Sequence, residues 1–162
     1  QVDSDLLELY CGVGNFTLPL SQQFRNVLAT ELSKPATEAA RWNAAHHAAN
    51  NIELARLSAE EMTAAMEKVR PFRRLSHLKQ PLEEYQFDTL MVDPPRAGLD
   101  EATLQLAAGF DRILYISCNP ETLQLNLGTL NRTHSIQSLA FFDQFPYTPH
   151  LESGVVLTRR NT

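Results

Sequence analysis

The chain has 162 residues, 43% of them hydrophobic and 20% charged, which is enough apolar material for a sizeable core and excludes a disordered tail. With 6 Gly, 9 Pro and no run approaching the roughly 20 apolar residues of a membrane span, it is neither collagen-like nor transmembrane. The formal net charge of -5, from 14 Lys+Arg against 19 Asp+Glu, argues against a polyanion wrapped over the whole surface, so any nucleic-acid contact must be local. Two isolated cysteines, Cys11 and Cys118, make no disulfide framework, and the opening QVDSDLLELY has neither the cationic nor the apolar region of a signal peptide. The expected setting is reducing and cytoplasmic.

Apolar β-type runs alternate with helix-period segments from the start. Residues 6–10 (LLELY) form a strand that ends in the glycine turn Cys11-Gly12-Val13-Gly14, and Phe16, Leu18, Leu20 and Phe24 mark the helix after it. Residues 27–31 are a second strand; Ser33 as N-cap and Pro35 in the first turn then open an alanine-rich helix over 36–50. A third strand, 52–57, meets the capping box Ser58-Ala59-Glu60-Glu61 and a helix carrying Met62, Ala65, Met66 and Val69. Residues 68–82 break the rhythm with Pro71, Pro81 and the basic residues Lys68, Arg70, Arg73, Arg74 and Lys79, and read as an extended, solvated surface loop.

The alternation then resumes. Residues 87–92 form a buried strand that runs into Asp93-Pro94-Pro95-Arg96, followed by a helix from about Asp100 to Ala108. RILYIS, residues 112–117, is the next strand and delivers Cys118-Asn119-Pro120; a helix covers about 121–130. Residues 136–142 and 155–158 are two closing strands around the loop 143–154, with no helix between them. Seven strands in this arrangement predict a Rossmann-like α/β fold, a mostly parallel sheet with right-handed crossovers and an antiparallel edge hairpin. Ligands collect beyond the carboxyl ends of such strands, where Tyr10, Glu31, Asp93 and Cys118 fall.

Gly12 and Gly14 give a G-x-G turn, and Glu31, at the end of the second strand, stands where an acid accepts hydrogen bonds from ribose hydroxyls. Thr17 occupies the place of the third glycine of a dinucleotide fingerprint, which weakens a pyrophosphate reading; S-adenosylmethionine has no phosphates and needs only close backbone approach. A plain helix-entry turn with a surface glutamate is the competing reading. The prolines of Asp93-Pro94-Pro95-Arg96 cannot continue a ladder and fix a rigid turn. Amino-methyltransferases carry a related motif, but with an aromatic residue where Arg96 stands, which disfavours methylation of nitrogen. Cys118 sits at a strand end rather than in the core, whereas Cys11 reads as structural. Glu152 enters from the last loop, where a lone glutamate is ordinarily a solvated charge.

The segments LLELYCGVGNF, ATELSKP, MVDPPRAGLD, ILYISCNPETL and FDQFPYTPHLESGVVLT resemble, in order and over nearly the whole chain, the catalytic domain of the tRNA (uracil-5-)-methyltransferases, within the RNA 5-methyluridine methyltransferases. The resemblance implies the class I S-adenosylmethionine-dependent methyltransferase fold. It implies Cys118 as nucleophile, Glu152 as general base, and Tyr10, Asn15, Glu31 and Asp93 as contacts to S-adenosyl-L-methionine. It also implies methylation of a uridine in the tRNA T loop through a covalent cysteine intermediate, no metal, no membrane and a monomer. The family carries an N-terminal half with an RNA-binding domain and a further cofactor-contacting segment, so residues 1–162 read as a catalytic-domain fragment that binds cofactor weakly and methylates tRNA poorly or not at all.

Three other readings remain open at this stage. Uridine-C5 methylation of 23S ribosomal RNA shares the chemistry. A nicotinamide-dependent dehydrogenase would use the G-x-G turn and Glu31 but gives Cys118 and Glu152 no role. An RNA-binding module without catalysis has only the basic loop 68–79 in its favour.

Overall fold

The computed structural model describes residues 3–144, 146–148 and 150–160. Phe145 and Pro149, within the FDQFPYTPHLESGVVLT segment, lie outside the described residues. In chain order the elements are β1 (Asp5–Leu9), α1 (Thr17–Ser21), β2 (Asn26–Thr30), α2 (Lys34–His46), β3 (Ile52–Ala55), α3 (Ala59–Met66), β4 (Phe87–Val92), α4 (Glu101–Ala107), β5 (Arg112–Ser117), α5 (Pro120–Leu130), β6 (His134–Phe142) and β7 (Glu152–Arg159). The sheet order is β3-β2-β1-β4-β5-β7-β6, with β1 parallel to β2 and β2 to β3, and with β7 antiparallel to both β5 and β6. That is the α/β sheet and antiparallel edge that the alternation predicts. The chain forms two compact units, one running to Thr89 and one from Leu90.

In the first unit β1 is buried along its whole length, as expected of a parallel strand covered on both faces. Its first residue, Asp5, is fully buried and held by four donors. Arg25 grips both carboxylate oxygens, Nε at 3.0 Å and Nη2 at 2.8 Å, Asn26 Nδ2 donates at 2.9 Å and the Gln86 backbone N–H at 2.7 Å. Burial alone would raise this carboxyl, but these hydrogen bonds and the Arg25 charge together hold it below the usual carboxylate range.

Helix α1 stops at Ser21, short of the expected Phe24, because side chains take its closing carbonyls. Ser21 Oγ donates back to Leu18 O at 2.7 Å, and Asn51 Nδ2 donates to Ser21 O at 2.7 Å and Phe24 O at 3.1 Å. Helix α2 begins at Lys34 behind the Ser33 cap and ends at His46 rather than Asn50. Ala49 N–H bonds Ala44 O and Ala48 N–H bonds Ala45 O, a Schellman closure with Ala48 in the left-handed region at φ 51. The capping box of α3 forms as its sequence predicts, and the helix closes the same way with Lys68 at φ 57. The 68–82 segment is not a loose strap: it carries a 3-10 turn at Arg73–Leu75, and Arg74, His77 and Lys79 bond to Arg56 O, Leu54 O and Asn50 O.

In the second unit Asp100 caps α4, accepting from Thr103 N–H at 2.7 Å, and Asn119 caps α5 with Pro120 in its first turn. Asn126 on α5 is buried and clamps the turn after β4. Its Oδ1 accepts from Leu99 N–H at 2.9 Å and from Tyr115 O–H at 2.7 Å. Gly98, at φ 74, has no room for a Cβ, which would stand 2.7 Å from that same Oδ1. Strand β7 begins at Glu152, three residues earlier than the alternation of 155–158 suggests, because Glu152 and Ser153 pair with Phe142 and Phe141 of β6. Glu152 is therefore a strand residue, not a loop residue.

Candidate active site

The first unit presents a turn suited to a nucleoside. Tyr10 follows β1 in the left-handed region at φ 60, a conformation that costs a non-glycine residue about 1–2 kcal/mol. Cys11 N–H bonds Thr30 O at 3.0 Å, which ties the turn to β2, and Gly12 and Gly14 take φ 56 and 91. A Cβ on Gly12 would meet nothing within 4 Å, so this backbone faces open space that a ligand can approach. Glu31, the first residue after β2, accepts Gly12 N–H on Oε2 at 3.1 Å and Ser33 N–H on Oε1 at 2.7 Å. Each of its oxygens keeps a lone pair for a ribose hydroxyl while the backbone fixes its direction. This acceptor set, held in place by the Gly12 and Ser33 N–H groups, has the chemistry to take ribose hydroxyls. Asn15 is exposed in the same turn.

Cys11 is buried, and that burial, with the Glu8 and Glu31 carboxylates adding to it, pushes its thiol well above the ordinary range. It is an inert thiol, in keeping with its structural reading.

The second unit brings the start of β7, with Glu152, to the end of β5, and the charge of Glu152 acts on Asp93. Asp93 leaves β4 half-buried, and desolvation first, then the charge of Glu152, push its carboxyl up to about 6. Cys118 follows β5 and is partly exposed. Its turn is fixed by Ser117 Oγ, which donates to Asn119 O at 3.0 Å and accepts Asn119 N–H at 3.1 Å. The antiparallel register ends on Ser117 opposite Ser153, the chain neighbours of Cys118 and Glu152, so both residues lie at the same end of the β5–β7 ladder. The reversal of β7 is what carries a carboxylate 34 residues downstream to the thiol.

Three side chains that the motifs alone do not single out, Asn119, Thr122 and His150, hold this arrangement. Asn119 Nδ2 and Thr122 Oγ1 both donate to Arg96 O at 3.0 Å, fastening the Asp93-Pro94-Pro95-Arg96 turn to the start of α5. Arg96 Nη1 and His150 Nδ1 are 3.0 Å apart, which joins the same turn to the segment leading into β7. The sequence signal for Asn119 was only its place before a proline; nothing marked its second bond. Among the described residues no three His, Cys, Asp or Glu side chains cluster as metal ligands, and no helix is long and apolar enough to cross a membrane.

The raised Asp93 carboxyl has a testable consequence for stability. Its folded value of about 6 lies above the ordinary 3.8, so the protonated form stabilises the fold at low pH, and that contribution is lost as pH rises from about 4 through 6. Asp93→Asn does not titrate. Urea midpoints of the two proteins should diverge in favour of the variant between pH 4 and pH 7; a constant difference over that window would contradict the buried, charge-opposed placement of Asp93.

A family model described as tRNA (Uracil-5-)-methyltransferase matches residues 1–160. The chain belongs to this family. A tRNA/tmRNA (uracil-C(5))-methyltransferase of Acinetobacter baylyi is 60% identical over 155 residues, covering 96% of this chain and 43% of the relative. The Pseudomonas aeruginosa protein of the same name is 59% identical over 160 residues, covering 99% of this chain and 44% of the relative. The chain thus spans less than half the length of these family members. Among solved structures, the Pyrococcus abyssi tRNA (uracil-54, C5)-methyltransferase in complex with S-adenosyl-L-homocysteine matches with a TM-score of 0.69 and 30% identity, over 98% of this chain and 35% of that one. An rRNA methylase from Streptococcus thermophilus shares the fold at a TM-score of 0.67 with 13% identity. The fold is the Rossmann-like one of S-adenosylmethionine-dependent methyltransferases, as the resemblance implies.

Proposed function

We propose that this chain is the catalytic part of an enzyme that transfers a methyl group from S-adenosyl-L-methionine to the C5 carbon of a uridine in the T loop of tRNA. The register that pairs Ser117 with Ser153, and so brings Cys118 and Glu152 to one end of the ladder, supports the reading, because C5 methylation needs a nucleophile and a base at one site. A dehydrogenase gives that pair nothing to do. The names of the family members favour tRNA over ribosomal RNA as the substrate.

Uracil C5 is too weak a nucleophile to attack a methyl group unaided. The Cys118 thiolate adds to C6, and the displaced π electrons make C5 the nucleophilic end of an enolate. S-adenosylmethionine, when bound, supplies the electrophilic methyl that C5 takes up. The Glu152 carboxylate then removes the C5 proton, the C5–C6 double bond re-forms, and the C6–S bond breaks to return the thiolate. Glu31 and the Gly12 turn hold the ribose, with Tyr10 and Asn15 beside them, and Asp93 is assigned to the same cofactor; their work is orientation, which can supply about 7 kcal/mol or more. Reaching the base requires that it leave its stack in the RNA.

Glu31→Ala tests the cofactor half of this proposal. Calorimetry with S-adenosylhomocysteine should show affinity weaker by about 1–3 kcal/mol, the value of a charged acceptor lost from buried hydroxyls. Unchanged affinity would remove Glu31 from the cofactor site.

A further inference from the structure

The first unit holds a basic cavity that the proposed chemistry leaves unused. It is an open depression of about 280 Å³ lined by Lys34, Arg41, Arg56, Arg74 and His77, most of them exposed, with Thr37 and Glu38 completing the wall. Four permanent cations thus face one lining carboxylate in a protein whose formal net charge is -5. They come from three places: Lys34 and Arg41 from α2, Arg56 from the residue after β3, and Arg74 and His77 from the basic segment that reads, in sequence, as a solvated loop.

Backbone carbonyls rather than acids hold the cluster together. Arg41 Nη2 at 2.9 Å and His77 Nε2 at 3.0 Å converge on Leu54 O, and Arg74 Nη1 donates to Arg56 O at 3.1 Å. Neutral acceptors fix the direction of these side chains and leave their charge in place. The compensation from acids is slight: Lys34 lies 3.7 Å from the exposed Glu38, Arg74 lies 3.4 Å from Glu61, and Arg56 makes no ion pair among the described residues. Like charges gathered on one open face repel one another, an anion relieves that repulsion most at low salt, and guanidinium forks match phosphate oxygens two at a time. The cavity also adjoins the cofactor turn, since the Thr37 hydroxyl donates to Glu31 O at 3.2 Å.

We infer that this cavity is a phosphodiester-binding site for the RNA substrate, with Lys34, Arg41, Arg56 and Arg74 gripping backbone phosphates. The inference rests on the reading of the chain as part of a tRNA-modifying enzyme. It turns Arg74 and His77 from connector residues into parts of the RNA grip, and it gives an acidic chain the local positive footprint that a polyanion requires.

The test is tRNA binding by the chain extended to the full length of its relatives, between about 50 and 200 mM salt, with S-adenosylhomocysteine binding measured on the same samples. Lys34→Gln with Arg56→Gln removes two cations without touching the carbonyl-held bonds of Arg41, Arg74 and His77. This pair should lower tRNA affinity by on the order of tenfold or more at low salt and make the slope of log K against log salt shallower by about 2, with cofactor-analogue binding unchanged. Arg112→Gln with Arg132→Gln, an equal loss of charge at the amino end of β5 and just past α5, should change the slope much less. Equal losses from both pairs, or none from the first, overturn the phosphate site and leave the proposed function standing. Parent chain that binds the cofactor analogue but no tRNA also overturns the site. Parent chain that binds neither contradicts the proposed function itself.

Discussion

Cys118→Ala, in the chain extended to the full length of its relatives, should form no covalent complex with tRNA even when the target base is 5-fluorouridine. Turnover should fall on the order of 10⁴-fold or more, as when a nucleophile is removed from an acyl-transfer enzyme. Glu152→Gln behaves differently. The thiol still adds and the methyl still transfers, but no carboxylate takes the C5 proton, so an adduct on ordinary tRNA accumulates and resolves slowly, with turnover down by about 10²–10⁴-fold. Denaturing gels separate the two outcomes. A shifted band from Cys118→Ala would show that another group is the nucleophile, and a Glu152→Gln protein that turns over normally would take the base away from β7.

The second large effect is on folding. Arg25→Ala leaves the Asp5 carboxylate buried at the start of β1 with only its Asn26 and Gln86 donors, and because the carboxylate is buried while the guanidinium is partly exposed, the loss should exceed that of an ordinary surface ion pair. The lowered Asp5 value stabilises the fold above the ordinary 3.8, and that contribution disappears as pH falls through and below it. Urea unfolding at pH 7 should show the full loss in the variant, and the gap between variant and parent should narrow toward pH 3. A variant within 1 kcal/mol of the parent at pH 7, on the order of an exposed ion pair, would mean that the Arg25 contact is ornamental.

The central strands were legible because each is an apolar run bounded by turn residues, and burial on both faces leaves such runs no other place. Ser33, and Ser58 with Glu61, announced two helix starts because capping is local, three residues reaching three residues. What the sequence hid is non-local. Asp5 looks like any acid ahead of a strand until Arg25 and Gln86, 20 and 81 residues away, close on it. Glu152 looks like a loop residue because its strand is defined by pairing with β5 and β6 and not by its own alternation. The early ends of α1 and α2 depended on the Asn51 amide and on Ala48 accepting a left-handed conformation, neither of which propensity foretells.

The candidate site divides in the same way. Tyr10, Glu31, Asp93 and Cys118 stand out at strand ends, a rule of topology that sequence alone can apply. The placing of Glu152 and Cys118 at one end of the same ladder needed the register, and the effect of Glu152 on Asp93 needed burial. The basic cavity was half visible: the run of cations in 68–79 stood out, but Lys34, Arg41 and Arg56 are scattered among helix and strand residues and meet that run only when the chain is folded.

The most direct test of the central claim is nucleoside mass spectrometry of tRNA incubated with the extended protein and S-adenosylmethionine carrying an isotopic methyl label. The parent should yield labelled 5-methyluridine and Cys118→Ala none. Label on a nitrogen or a ribose, or labelled 5-methyluridine that persists without the Cys118 thiol, would contradict the claim.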